Sequence, residues 1–412
     1  MTGSAERAVE HAARSSYGRL VAILAARTGD VMAAEDALGD AFAAALAQWP
    51  EAGVPQKPEA WLVSVARRRL VDRARREQVQ DAAADGLRYA ADLLERTPTA
   101  PDALPDPRLA MLAACAHPAI DPGIRTPIML QVVLGLDAAA IASAFLVPPA
   151  TMAQRLVRAK AKIREARIPI EVPAPEALAE RLPPMLEAIY AAYGTAWDDV
   201  LGADPARRDL GAEAIWLGRV LVEVLPHEPE AKGLLALMLY CESRRAARRD
   251  EVGAYVSLAE QDVGRWSHEM IDEAESLLLD AARAARPGRF QCEAAINSAH
   301  AARRTGAGPD WRAIAMLYDE LVRHVASVGA FVSRAAAHAE AFGAARGLAL
   351  LEELPDEATR NYQPAWALRG HLLLQLGRRE EARGALERAA GMVEDPAVRA
   401  FLLGKLAASL GD

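Results

Sequence analysis

Two prolines open the stretch PPATMAQRLVRAKAKIR, residues 148–164, and no helix breaker follows them. Proline at a helix start, followed by good helix formers, predicts a helix. The apolar residues of the stretch recur at helical spacing and form one stripe, made of Met152, Leu156, Ala159 and Ile163. Most of the remaining surface is basic. The stretch therefore predicts an amphipathic helix with a basic face.

A shorter helix is predicted just upstream, over residues 138–144, and residues 145–147 form a tight connection to the basic helix. A short helix, a tight turn and a longer basic helix make a helix-turn-helix, whose second helix can enter a DNA major groove. A surface helix with a solvated basic face is the alternative, because basic amphipathic helices are common. These residues alone leave the two interpretations equally open.

The composition of the whole chain favours an all-α fold. The 412 residues are rich in alanine, only 5% are aromatic, and alternating β-branched runs are nearly absent. The 3 cysteines lie far apart without a CxxC pair, which predicts buried thiols in a reducing compartment. No signal peptide and no apolar run long enough to span a bilayer is recognisable, so we expect a cytoplasmic protein that does not enter a membrane.

Charge is distributed unevenly along the chain. Residues 1–170 hold 21 lysines and arginines against 19 acidic residues, whereas residues 171–412 hold 27 against 37. A nearly neutral first part with local basic clusters suits a DNA-contacting region, and an acidic second part suits a region that avoids DNA. The net charge of -8 alone would hide this division.

A second basic cluster follows a proline-rich loop. Residues 50–58 contain three prolines and a glycine, and a new helix is predicted from Glu59. Six arginines then fall within the ten residues 67–76. Such a loop and helix could clamp phosphates and unpaired bases, although a solubilising surface would have a similar composition. The near absence of acidic residues favours nucleic acid.

Two proline-rich stretches divide the chain into segments. We predict a first segment over residues 1–80, a linker over 81–105, a helix-turn-helix segment over 106–167, a second linker over 168–176, and a helical extension over 177–412. Near the end of the extension, residues 366–389 have the small and large residue spacing of a tetratricopeptide helix pair. The extension therefore predicts an α-solenoid of degenerate tetratricopeptide-like pairs, with an irregular helical bundle as the alternative.

Sequence motifs of common enzymes are missing. The chain contains no phosphate-binding loop, no dinucleotide-binding glycine pattern and no nucleophile elbow, and the 8 histidines are scattered. We therefore expect no enzymatic activity, no cofactor and no metal.

The order of these features resembles the extracytoplasmic-function (ECF) sigma factors of bacterial RNA polymerase, which are of the sigma-70 type. The resemblance is carried by AEDALGDAF (34–42), PEAWL (58–62), ARRR (66–69) and ATMAQRLVRAK (150–160). It extends to the subgroup with a long C-terminal tetratricopeptide-like extension. The resemblance implies a sigma region 2 helical bundle in residues 1–80, a region 4 helix-turn-helix domain in 106–167, and the regulatory extension in 177–412.

The resemblance also implies three sets of contact residues. Contacts with the promoter −10 element would come from Lys57, Trp61, Arg67, Arg68, Arg69, Arg73 and Arg76. Contacts with the −35 element would come from Thr151, Gln154, Arg155, Arg158, Lys160 and Lys162, with the two lysines on phosphates. Contacts with core RNA polymerase would come from Glu35, Asp36 and Asp40.

Two functional hypotheses follow. In the first, the chain is a non-enzymatic sigma factor that binds core RNA polymerase and promoter DNA, directs transcription initiation, and is regulated intramolecularly by its own C-terminal extension. In the second, it is a sigma-like interaction scaffold or ligand sensor that no longer initiates transcription.

Overall fold

The computed structural model describes residues 2–80, 106–145, 147–197, 205–393 and 395–410. Within these ranges the chain consists of helices, turns and loops, and its one pairing of extended backbone is an isolated bridge between Arg249 and Tyr255. The all-α prediction is therefore confirmed. The predicted linker 81–105 lies outside the described residues.

The chain divides into two compact units, Met1–Leu225 and Pro226–Asp412. The helices described in the first unit are α1 (Thr2–Ser15), α2 (Tyr17–Thr28), α3 (Val31–Ala52), α4 (Pro58–Gln80), α5 (Pro107–Cys115), α6 (Pro122–Val132), α7 (Ala138–Ala144), α8 (Pro149–Glu165), α9 (Pro175–Trp197) and α10 (Pro205–Val224). This unit thus includes the first two helices of the predicted extension.

Aspartate and proline set the beginnings of several helices in the first unit. The side chains of Asp30, Asp106 and Asp137 accept hydrogen bonds from backbone N–H groups in the first turns of α3, α5 and α7. Pro149 occupies the first turn of α8, where its missing N–H has no intrahelical partner to lose. These local signals explain why α7 and α8 begin where the sequence predicts.

Helices from the predicted regions 2 and 4 pack on each other in the first unit. Helix α2 contacts α5 and α6, and α3 contacts α8. At Gly18 in α2, an added Cβ would lie 1.8 Å from the carbonyl oxygen of Val133, which follows α6. Only glycine permits this approach of α2 to the backbone after α6.

The first helices of the predicted extension complete this unit. Helix α9 packs on α5 and α6, and α10 packs on α9, α5 and α1. Within the predicted linker 168–176, Ile168 and Ile170 are buried, so this stretch is anchored rather than fully solvated. The boundaries between the segments that the sequence predicts remain predictions.

The second unit is a succession of helices that pack mainly on their neighbours in the chain. They are α11 (Pro229–Ser243), α12 (His268–Ala282), α13 (Arg289–Ala301), α14 (Trp311–His324), α15 (Val328–Phe342), α16 (Ala344–Glu352), α17 (Asp356–Thr359), α18 (Gln363–Gln375), α19 (Arg379–Gly391) and α20 (Pro396–Leu410). Short 3-10 turns lie at Arg245–Ala247, Val263–Arg265 and Ala302–Thr305.

Small residues allow two close helix crossings in the second unit. A Cβ on Gly370 of α18 would lie 2.6 Å from Cγ of Leu386 in α19, and one on Gly347 of α16 would lie 2.4 Å from Cβ of Ala339 in α15. Small residues at crossings agree with the spacing used to predict helix pairs. The tetratricopeptide-like solenoid itself stays a prediction. No helix among the described residues has both the length and the apolar composition needed to cross a membrane.

Candidate nucleic-acid interface

The predicted polymerase contacts lie on α3. Asp36 and Asp40 are exposed, whereas Glu35 is half-buried on the side that meets α8. Helix α3 begins at Val31 because the Asp30 carboxylate accepts from the Ala33 N–H at 3.1 Å. Asp36 and Asp40 thus lie at the solvent-exposed surface, whereas Glu35 lies toward the interior of the first unit.

The loop before α4 supplies Lys57, whose side chain is exposed. Its carbonyl oxygen accepts from the Trp61 N–H at 3.2 Å, which closes the first turn of α4. The Trp61 ring is half-buried and meets the ring of buried Trp49 edge-on, with centroids 5.4 Å apart. Because Trp61 is packed by Trp49 and still partly open, one part of its ring remains available to a base.

The arginines of α4 differ in their surroundings. Arg68 and Arg69 are exposed, and Arg73 is exposed beside Asp36, with its Nη1 3.2 Å from the Asp36 carboxylate. Arg67 is half-buried, and burial together with the positive charge of Arg27 lowers the pKa of its guanidinium. Arg76 lies in α4, but its side chain is outside the described residues. The exposed residues of this predicted −10 surface are therefore Lys57, Arg68, Arg69 and Arg73.

Helix α8 turns its apolar stripe inward as predicted, since Met152, Leu156, Ala159 and Ile163 are all buried. On its outer face lie Gln154, Arg155, Arg158 and Lys162, all exposed, and Thr151 is half-buried. This outer face therefore has side chains that can contact base edges and side chains that can neutralise phosphates. The arrangement allows the predicted −35 contacts of these residues but leaves them untested.

Lys160 is the exception on α8, because it is only 8% exposed. Its ammonium lies 2.7 Å from the Glu35 carboxylate, and the side chains of this pair are 10% and 16% exposed. Farther along α8, Arg164 lies 3.5 Å from Asp30. Two residues predicted to contact different partners, DNA and polymerase, are thus brought together in this conformation.

The sequence analysis did not identify one exposed apolar residue on α8. Val157 is 49% exposed and lies between Gln154 and Arg158 on the outer face. Its position off the apolar stripe, beside Leu156, is the signal that could have identified it. An exposed aliphatic side chain beside residues that are predicted to read bases can contact the methyl group of thymine.

The sequence also missed a buried charged cluster at the beginning of α5. Arg108 pairs with Asp106 and with Glu213 of α10, each at 2.7 Å, and the Trp216 indole donates to Asp106 at 2.9 Å. Burial raises the pKa of Asp106, but the hydrogen bonds and charge of Arg108 outweigh burial and hold that pKa below its ordinary value. Because Arg108 and Glu213 are 105 positions apart in the chain, no local sequence pattern predicts that they pair.

The described residues contain no group of three or more histidine, cysteine or acidic side chains placed to hold a metal ion. Burial also raises the pKa of the Cys115 thiol to about 12, with a further rise from the charge of Glu35. Cys115 is thus held as a neutral thiol in the core of the first unit.

Two family models match parts of the chain. Residues 13–79, which contain α2, α3 and most of α4, match the model of sigma-70 region 2. Residues 181–282 match the model of a family of unknown function, DUF6596. No solved structure matches the chain.

A full-length relative is found among curated proteins. Over 374 residues the chain is 38% identical to an uncharacterized protein of Rhizobium meliloti (strain 1021). The alignment covers 90% of this chain and 88% of that protein. The match extends well beyond region 2 and includes most of both compact units. The chain therefore belongs to the family of this Rhizobium protein, and its residues 13–79 are similar to sigma-70 region 2.

Proposed function

We propose that the chain is a sigma factor of the extracytoplasmic-function type, which binds core RNA polymerase and directs promoter-specific transcription initiation. One observation carries the proposal: the match to sigma-70 region 2 covers the helices that present exposed acidic residues on α3 and exposed arginines on α4. In sigma factors of this type, region 2 binds both the polymerase and the −10 element. The proposed place of action is therefore the cytoplasm, with the polymerase.

The roles of the two basic helices differ in this proposal. Exposed Arg68 and Arg69 on α4 would neutralise the backbone of the opened −10 strand, with Trp61 available for stacking on an unpaired base. Gln154, Arg155 and Arg158 on α8 would face the −35 element as the second helix of a helix-turn-helix. Neither role requires a cofactor or an enzymatic step.

In-vitro run-off transcription with purified core polymerase tests this function. Templates would be drawn from a library of fragments of the source genome, and core polymerase alone is the control. We expect specific transcripts only when the chain and core polymerase are both present. Absence of a transcript from every fragment, although the chain is folded, would contradict the proposal and favour a sigma-like scaffold or ligand sensor.

The extension is proposed to regulate the first part of the chain. Support comes from the buried pair between Arg108, at the start of the predicted region 4, and Glu213 of α10, in the predicted extension. Glu213→Gln weakens this connection without removing a helix, and Glu223→Gln on the exposed side of α10 is the matched control. We expect the first variant, and not the second, to change the amount of transcript per bound polymerase. Equal activity of both variants and the wild-type chain would exclude this link as a regulatory contact.

A further inference from the structure

The connection between α11 and α12, residues 244–267, is long for a stack of helices. Neighbouring helices in such stacks are usually joined by about 2–8 residues, and α18 and α19 of this unit are joined by residues 376–378. An ordered loop longer than about 12–15 residues usually has a function of its own. This connection is ordered, since it contains two 3-10 turns and a bridge of extended backbone. It is therefore more than a joint between two helices.

Residues 248–256 of this connection form a tight hairpin. Its two sides pair at Arg249 and Tyr255. At the turn, the Asp250 carboxylate accepts from two backbone N–H groups at 3.0 and 2.8 Å. Gly253 has a φ of +84°, a left-handed value that glycine adopts without strain. The hairpin is thus shaped by its own sequence.

The hairpin reaches the last helix of the second unit. Arg249 Nη2 lies 2.5 Å from the carboxylate of Asp395, the residue before α20, and the two side chains are 14% and 20% exposed. The Tyr255 ring meets the Phe401 ring of α20 edge-on, with centroids 5.4 Å apart. Arg249 and Asp395 are 146 positions apart in the chain. These contacts therefore join the beginning of the second unit to its last helix.

Contacts between the two ends are not expected in an open stack of helices. In an α-solenoid each repeat contacts only its neighbours, so the first and last repeats stay apart. The helices from α11 to α20 pack mainly on their neighbours in the chain, whereas the hairpin joins the two ends. Bending of a stack changes the distance between its ends, because small rotations between neighbouring repeats add up. A strap between the ends therefore fixes the curvature of the second unit.

The hairpin is held differently at its two sides. Toward α11, Arg265 donates to the carbonyl oxygen of Arg249 at 2.8 Å, and the Ser267 N–H donates to the carbonyl oxygen of Ser243 at 2.8 Å. These hydrogen bonds involve the backbone of the connection itself. Toward α20, the ion pair and the ring contact join side chains. Side-chain contacts can separate while the backbones of both partners keep their fold, so the α20 side is the end that opens.

The Arg249–Asp395 pair is the principal contact at that end. Both side chains are largely removed from solvent, so their attraction is weakly screened. Burial raises the pKa of Asp395, but hydrogen bonds from the first turn of α20 and from Arg249 outweigh burial and hold this pKa below its ordinary value. One carboxylate oxygen accepts from the Ala397 N–H at 2.8 Å, and the other meets Arg249. The residue that caps α20 is thus also the residue that attaches α20 to the hairpin.

We propose that residues 248–256 are a strap that holds the second unit closed, and that Arg249 and Asp395 form its latch. When the latch separates, the hairpin stays with α11, α20 stays with α19, and the stack is free to change its curvature. The inference concerns the second unit alone, so it goes beyond the proposed function and does not depend on it. It supplies the extension with a closed and an open conformation, which is what a regulatory element requires.

The distance between two spin labels in the full-length chain tests the strap. The labels are attached at Val252→Cys on the hairpin and at Leu403→Cys on α20, because both positions are exposed. Cys241, which is half-buried, is replaced by serine in this reference chain, and the other two cysteines are buried and protected from the label. Distance distributions are measured for the reference chain, for Arg249→Gln, for Asp395→Asn and for the double variant.

Asp310→Asn is the matched control for Asp395→Asn. Asp310 also caps a helix of the second unit, since its carboxylate accepts from two N–H groups in the first turn of α14. Asparagine caps a helix about as well as aspartate, so both substitutions keep the cap and remove one charge. Thermal melting of each variant establishes that it is folded.

We expect one narrow distance distribution in the reference chain and in Asp310→Asn. Arg249→Gln and Asp395→Asn should each add a longer and broader component, because each removes one charge from the latch. The double variant should resemble the single variants, since both changes break the same contact. Hydrogen exchange of α20 should be about tenfold faster in these three variants, and exchange of α13 and α14 should change less than about twofold.

Three results would overturn the strap. An unchanged narrow distribution in both single variants would show that the pair does not hold the two ends together. A longer component in Asp310→Asn would attribute the effect to the lost charge at any helix cap and not to the latch. Exchange that rises equally in α13, α14 and α20 would mean that the pair stabilises the whole unit without closing it. The transcription assay of the proposed function is a separate measurement, so the two failures remain distinguishable.

Discussion

Helices α4 and α8 are both basic, yet they present their charges differently. On α4, Arg68 and Arg69 are exposed, and Arg73 pairs with Asp36 at an exposed position. On α8, Arg155 and Arg158 are exposed, whereas Lys160 is buried against Glu35. The number of cations in a helix therefore does not measure the charge available to DNA. Availability depends on which neighbouring helix covers each cation.

The largest expected effect comes from the exposed cations of α4. Combined Arg68→Ala and Arg69→Ala should reduce promoter opening on the order of a thousandfold, because each hydrogen bond between an arginine and a charged phosphate contributes about 1.5–3 kcal/mol. Polymerase binding should stay unchanged, since neither residue lies on α3. Opening would be measured by the fluorescence of a base analogue in the −10 element. Arg7→Ala, an exposed arginine on α1, is the control, and an equal loss of polymerase affinity would contradict the separation of roles.

A buried cation should instead affect folding. Arg108→Gln leaves Asp106 and Glu213 without their shared partner, and breaking a buried pair from one side costs about 3 kcal/mol. Removal of exposed Arg68 should change the free energy of unfolding by less than about 0.5 kcal/mol. Urea denaturation of the two variants measures the contrast. Similar stability of both would mean that burial does not distinguish these arginines.

The outer face of α8 should determine sequence preference. Arg158→Ala or Gln154→Ala should weaken binding to the −35 element about tenfold or more, and should relax preference at one base position. Lys162→Gln should weaken binding to every sequence alike and reduce the salt slope by about 0.9. Affinities for a panel of single-base −35 variants distinguish the two patterns. A uniform loss with Gln154→Ala and Arg158→Ala would remove both residues from the base-reading role.

The smallest expected effect concerns acid stability around Arg108. Because the pKa of Asp106 lies below its ordinary value of 3.8, its carboxylate stabilises the folded state above pH 3.8, and this contribution disappears as the pH falls below 3.8. The Asp106→Asn variant should therefore lose stability less steeply with acid than the wild-type chain. Urea titrations between pH 5 and pH 3 measure the two slopes. If the free energy of unfolding falls equally with pH in the variant and in the wild-type chain, the pKa of Asp106 is not lowered in the folded state.

Much of the local structure could be predicted from the sequence. The bounds of α7 and the beginning of α8 follow from Asp137 and Pro149, which are strong local signals. The apolar stripe of α8 was correctly placed for the same reason, since periodicity is a property of the segment alone.

The pairings of the candidate site could not be predicted in this way. Lys160 lies four residues after Leu156, at the edge of the apolar stripe, so its burial had a faint local signal. Its partner Glu35 is 125 residues away, and nothing in either segment specifies the other. Arg108 and Glu213 are a second example, because their pairing arises only when α10 packs on α5.

The most direct test of the central claim is permanganate footprinting of a promoter with core polymerase and the full-length chain. Permanganate oxidises unpaired thymines, so it reports the opening that α4 is proposed to produce. We expect reactive thymines at the −10 element with the wild-type chain, and their loss with the Arg68→Ala, Arg69→Ala variant although polymerase remains bound. Thymines that stay unreactive with the wild-type chain on every transcribed template, or that react equally with the variant, would contradict the account.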